Sequence, residues 1–167
     1  HGRGVIHRDI KPANLLFSRD GRLSIVDFGL ARVAQEPGMT VSGSLLGSPA
    51  YMSPEQIAAG RMKLDHRTDV YSLGVILYEL LTGETPFDRR RLRSAAFDEL
   101  LRIIREEEPP KPSTRFSALR DTAGAVSARR KIEPKKLGQL LRGELDWIVM
   151  KSLEKDRTRR YETANGF

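Results

Sequence analysis

Residues 68–82 most constrain the fold. Val70, Leu73, Val75, Ile76, Leu77, Leu80 and Leu81 cover most of a helical circumference, and Gly83 follows as a stop. A helix that is apolar nearly all round belongs at the centre of a core. The rest of the chain must therefore wrap it. At 167 residues there is enough chain for one domain with a sizeable core.

Other segments supply the wrapping. Residues 94–105 place Phe97, Leu100, Leu101 and Ile104 at i, i+3, i+4, i+7, the spacing of an amphipathic helix. A further helix over residues 144–155 would bury Leu145, Ile148, Val149 and Leu153. Residues 107–143 hold many charges and several prolines, and read as an exposed insertion. From Gly29 to Pro54 the chain is irregular, and a loop of that length in a compact domain is usually functional or disordered. The expected fold is mainly α.

A small β-hairpin is expected near the start. Residues 14–17 and 22–26 read as short strands around Ser18-Arg19-Asp20-Gly21, where Asp-Gly is a hairpin signal. If Asp20 and Gly21 are the two loop residues, Asn14 lies opposite Asp27, and two oxygen ligands could share a hard cation. A longer turn would shift that register.

Composition excludes several functions. There is no cysteine, so disulfide and thiolate chemistry are absent, and His1, His7 and His66 have no zinc-site spacing. No apolar run is long enough for a membrane span, and no apolar signal stretch occurs. A cytoplasmic location is expected, with a membrane anchor elsewhere in a parent protein left open. The net charge of +7 is uneven: residues 1–83 carry 9 basic and 8 acidic side chains, residues 84–167 carry 20 and 14. Without interleaved aromatics for base stacking, these basic runs read as a solvated face, and no nucleic-acid partner is expected.

The segment "VIHRDIKPANLLF" sets a His, Arg, Asp, Lys and Asn between apolar stretches, the mark of a loop held rigidly by a core. His7-Arg8-Asp9, Asn14 five residues after Asp9, and Asp27-Phe28-Gly29 resemble the protein-kinase catalytic core. Ser53-Pro54-Glu55 stands where kinases usually have Ala-Pro-Glu. The run from Asp69 to Gly74 resembles the start of the central kinase helix, and Arg160 sits where the family pairs an arginine with the Pro-Glu glutamate. The wording of "LTGETPFDR" and "LEKDRTRRYETA" is most similar to eukaryotic-type serine/threonine kinases of bacteria.

The resemblance implies roles. Asp9 would accept the proton of a protein serine or threonine hydroxyl, and Lys11 would reach the transferred phosphate. Asn14 and Asp27 would hold Mg²⁺, and Leu16 would lie under the adenine of ATP. His7 would pack beneath Phe28, and Asp69 would anchor the catalytic-loop backbone. Glu55 and Arg160 would form an ion pair. Arg8, with Arg32, would receive a phosphate placed on Thr40, Ser42 or Ser44. Ser48 stands where threonine is more usual, its hydroxyl within the family's reach of Asp9 and Lys11. The chain contains no Gly-x-Gly-x-x-Gly and no lysine before Lys11. It therefore resembles a kinase C-lobe, residues 1–167 being a partial kinase domain whose N-lobe is expected upstream. The alternative is a truncated kinase acting as a non-catalytic binding or scaffold module.

Overall fold

The computed structural model describes residues 5–27, 48–58 and 64–167, apart from the side chains of Arg120 and Asp121. Two short strands, β1 (Leu15–Phe17) and β2 (Leu23–Ile25), form an antiparallel hairpin. After it come α1 (Pro54–Ile57), α2 (Arg67–Thr82), α3 (Arg89–Ser94) and α4 (Phe97–Glu106). Then follow α5 (Pro112–Ala118), α6 (Arg120–Arg130), α7 (Pro134–Leu140) and α8 (Asp146–Ser152). The chain is mainly helical with one small hairpin.

Helix α2 is the axis of the core. Val70, Val75 and Tyr78 are buried on it, and α5, α6 and α8 pack around it. Gly83 ends it in the left-handed conformation at φ 85°. Leu80 departs from the all-round apolar expectation, lying 59% exposed. Where α2 crosses α8 the backbones come close at Gly74: a Cβ there would come within 2.8 Å of Ser152 Cβ and closer still to its hydroxyl. Only glycine admits that approach.

Three sequence expectations are corrected. Ser94 ends α3, and Phe97 is the first residue of α4, where it is 42% exposed. Leu100, Ile103 and Ile104 form the buried stripe instead, with Ile57, Phe87 and Leu92 around them. Residues 107–143, expected as an exposed excursion, contain α5–α7 and deliver Phe116, Ala123, Leu137 and Leu141 to the same core as α2. Prolines start α5 and α7, a position where their missing N–H costs nothing. Asp146 ties this segment down, accepting bonds from the Ser113 N–H at 2.9 Å and hydroxyl at 2.6 Å.

The third correction is the hairpin register. Leu15 pairs with Ile25, and Val26 N–H donates to the Asn14 carbonyl at 2.9 Å, so Asn14 faces Val26 rather than Asp27. The loop is three residues long: Ser18 N–H donates to the Arg22 carbonyl, and Gly21 takes φ 78° between them. A turn ending in a left-handed glycine absorbs one residue more than a two-residue turn.

Candidate active site

The site begins at the buried first turn of α2. Asp69 Oδ2 accepts the His7 N–H and Oδ1 the Arg8 N–H, each at 2.8 Å. Burial pushes the Asp69 carboxyl above the usual range, against the pull of those two N–H groups. The same bonds hold Arg8 at φ 66°, a left-handed conformation that non-glycine residues rarely adopt. Replacing Asp69 with asparagine turns one accepting oxygen into a donor facing an N–H. The expected cost is about 1–3 kcal/mol. Faster amide exchange at His7 and Arg8 in the variant would report it.

His7 is fixed at both ring nitrogens. Its Nδ1 accepts the Asp9 N–H at 3.3 Å, and its Nε2 donates to the Val26 carbonyl at 3.1 Å. No ring position is left for proton transfer. On the other side of the loop, Gln56 Nε2 donates to the Arg8 carbonyl at 2.6 Å. No motif in the sequence marks Gln56 for this role, although Ser53-Pro54-Glu55-Gln56 reads as a capping box, and the reciprocal Ser53–Gln56 bonds are present.

So supported, the loop gathers three polar side chains. Lys11 Nζ lies 2.7 Å from Asp9 Oδ2. Asn14 Nδ2 donates to the Asp9 carbonyl at 2.8 Å and to Oδ2 at 3.1 Å. Among the described residues Asp9 Oδ1 receives no hydrogen bond, leaving one carboxylate oxygen for an outside donor. Asn14 is buried, and with its nitrogen committed to Asp9 it offers Oδ1 as a ligand atom. Asp27 ends the hairpin exposed at φ 66°. Both groups supply hard oxygens, which suit Mg²⁺ shared with substrate phosphates. Among the described residues no cluster of three or more His, Cys, Asp or Glu side chains forms a metal site by itself.

Leu16 lies in β1, 53% exposed. Ser48 caps the 3₁₀ turn Pro49–Tyr51 through its carbonyl, and its hydroxyl makes no bond to Asp9 or Lys11 among the described residues. Phe28, Gly29, Arg32, Thr40, Ser42 and Ser44 lie outside the described residues.

Glu55 and Arg160 are brought together deep in the protein. Arg160 Nη1 and Nη2 meet the two Glu55 oxygens at 2.7 and 2.8 Å. The remaining donors reach the carbonyls of Glu154, Arg67 and Lys155, so all five guanidinium N–H groups are engaged. Thr68 adds a hydroxyl bond to Glu55 at 2.8 Å. Burial alone would raise the Glu55 carboxyl; the hydrogen bonds and charge of Arg160 outweigh it and hold the group below the usual carboxylate range.

Comparison with known proteins gives one consistent result. Residues 1–165 match the family model described as protein kinase domain. Serine/threonine-protein kinase PknL of Mycobacterium tuberculosis is 48% identical over 100 residues, covering 60% of this chain and 25% of that protein. Serine/threonine-protein kinase PknB of the same organism is 36% identical over 166 residues, covering 98% of this chain and 22% of that protein. PknB of Mycolicibacterium smegmatis is 37% identical over the same length and share. The chain thus spans about a quarter of the length of the curated relatives it matches.

Proposed function

The chain belongs to the protein kinase family, and on that premise we propose that it is the C-lobe of a serine/threonine protein kinase, moving the γ-phosphate of ATP to protein hydroxyls. The observation that carries the reading is the Asp9–Lys11–Asn14 cluster, held from beneath by Asp69. Phosphoryl transfer needs positioning and charge neutralisation more than covalent help. Asp9 Oδ1 orients the acceptor hydroxyl and takes its proton. Lys11 fixes the other Asp9 oxygen and extends a positive charge toward the transferred group. Asn14 Oδ1 and the Asp27 carboxylate would hold Mg²⁺, and Leu16 would cover the adenine. When bound, Mg-ATP supplies the phosphoryl group and neutralises its oxygens.

The 167 residues include neither a Gly-x-Gly-x-x-Gly loop nor the phosphate-binding lysine that precedes the catalytic loop in kinases. By themselves they should transfer negligible phosphate to protein. Joined to a lobe carrying both, they should phosphorylate serine and threonine. No described helix is long and apolar enough to cross a membrane.

The test is phosphoamino-acid analysis of a protein substrate after incubation with the joined protein and Mg-ATP. Phosphoserine or phosphothreonine is expected, with transfer strongly reduced by Asp27→Asn, which removes a charged metal ligand. Phosphotyrosine alone, or full activity in Asp27→Asn, would refute the assignment. No transfer by a folded joined protein would favour the scaffold alternative.

A further inference from the structure

A second concave site shares no residue with the catalytic cluster. It is an open groove of about 400 Å³ among α5, α6 and α7. Its floor is apolar, made by Phe116, Ala123 and Pro134. Lys135, Gly138, Gln139 and Arg142 line it at i, i+3, i+4 and i+7, so one face of α7 and the turn after it borders the groove. Lys135 and Arg142 are exposed, and neither is paired with a carboxylate among the described residues, the nearby Glu133 and Glu144 included.

Gly138 points to use. It sits inside a helix, where glycine is a poor choice. Its φ is ordinary, and an added Cβ would make only an ordinary contact, 3.8 Å from the Phe116 ring. Neither backbone conformation nor crowding calls for glycine there. A side chain would instead lie across the groove above Phe116.

We propose that this groove takes an acidic segment of a protein partner. The segment's carboxylates meet Lys135 and Arg142 while one apolar side chain rests on the exposed Pro134, beside the buried edges of Phe116 and Ala123. Charge complementarity argues for the acidic class: the half of the chain that forms the groove carries 20 basic against 14 acidic residues. The groove's open form suits an extended segment better than an enclosed small molecule. Its aromatic residue is only 3% exposed, so it offers no face on which a nucleic-acid base could stack.

The probe is a fluorescein-labelled peptide of glutamates around a central Leu-Phe pair, with a control carrying Ser-Ser there. Anisotropy titrations use the 167-residue chain at physiological salt. The Leu-Phe peptide should bind at least ten-fold tighter than the control. Gly138→Leu, and separately the double change Lys135→Glu with Arg142→Glu, should each weaken it at least ten-fold with melting temperatures near that of the parent. In the unaltered chain, the amide resonances of Ser117 and Gly138 should shift during the titration, a readout independent of whether any variant folds. Equal binding of the two peptides, amide shifts confined elsewhere, or tighter binding of an oligonucleotide or of phosphatidylserine vesicles would each overturn the proposal.

Discussion

Replacing Asp9 with alanine, in a protein that joins this chain to an ATP-covering kinase lobe, should lower phosphoryl transfer by about 10²–10⁴-fold, the range of a lost general base. One Asp9 oxygen is occupied by Lys11 Nζ at 2.7 Å and Asn14 Nδ2 at 3.1 Å, so in the proposed reaction the other is the one left to meet the acceptor hydroxyl. Asp9→Asn separates chemistry from architecture. Asparagine retains the shape and an oxygen for Lys11, but it cannot take a proton. If Asp9 merely organises the loop, asparagine should restore most of the activity lost with alanine. If it handles the proton, both variants should fail alike. Single-turnover transfer, with nucleotide affinity measured separately, decides between them. A loss below ten-fold in Asp9→Asn would remove Asp9 from the chemistry.

The second large effect is on stability. Arg160→Met should destabilise the chain by about 3–5 kcal/mol, because it leaves the Glu55 carboxylate buried and unpaired. The two side chains are 0% and 2% exposed, so water cannot replace the lost partner. Changing Glu55 to Gln in the same protein should recover part of the loss, since the stranded charge goes with it. Denaturant melts of the two single variants and the double variant measure the coupling. Additive losses would mean that the pair is not a unit.

The pair also sets a pH dependence. The Glu55 carboxyl is held below its ordinary value in the folded protein. Its contribution is therefore fully present above the unfolded pKa of about 4.3 and disappears as pH falls through the lower folded value. The parent chain should lose stability steeply in that acid window. Arg160→Met should lose much less there.

The sequence was most informative where chemistry or spacing is dense. The crowded apolar positions of α2 and its closing Gly83 were readable, as were the polar residues between Ile6 and Leu15. Phe116, Ala123, Leu137 and Leu141 were missed because they are spread thinly through prolines and charges, so no short window shows their periodicity. The hairpin register depended on whether Gly21 served a two- or three-residue loop, which Asp-Gly alone does not fix. Phe97 matched the apolar spacing, but α4 begins at that residue, so its first turn projects beyond the core. At the site, Asp9, Lys11 and Asn14 were visible as a motif. The supports from Gln56 and Thr68 were not, because their bonds join residues that are far apart in sequence.

Arg160 lies 105 residues from Glu55, and during synthesis this means a wait. Helices α1 and α2 leave the ribosome long before the guanidinium that neutralises the glutamate in α1. Closing the core early would strand a carboxylate away from water, so that part of the nascent protein gains by remaining loose until the turn carrying Arg160 arrives. The electrostatic cost acts as a check on completeness: a chain interrupted before Arg160 keeps an unanswered charge and stays open to proteases. One residue thereby reports that everything from Glu55 to Arg160 has been made.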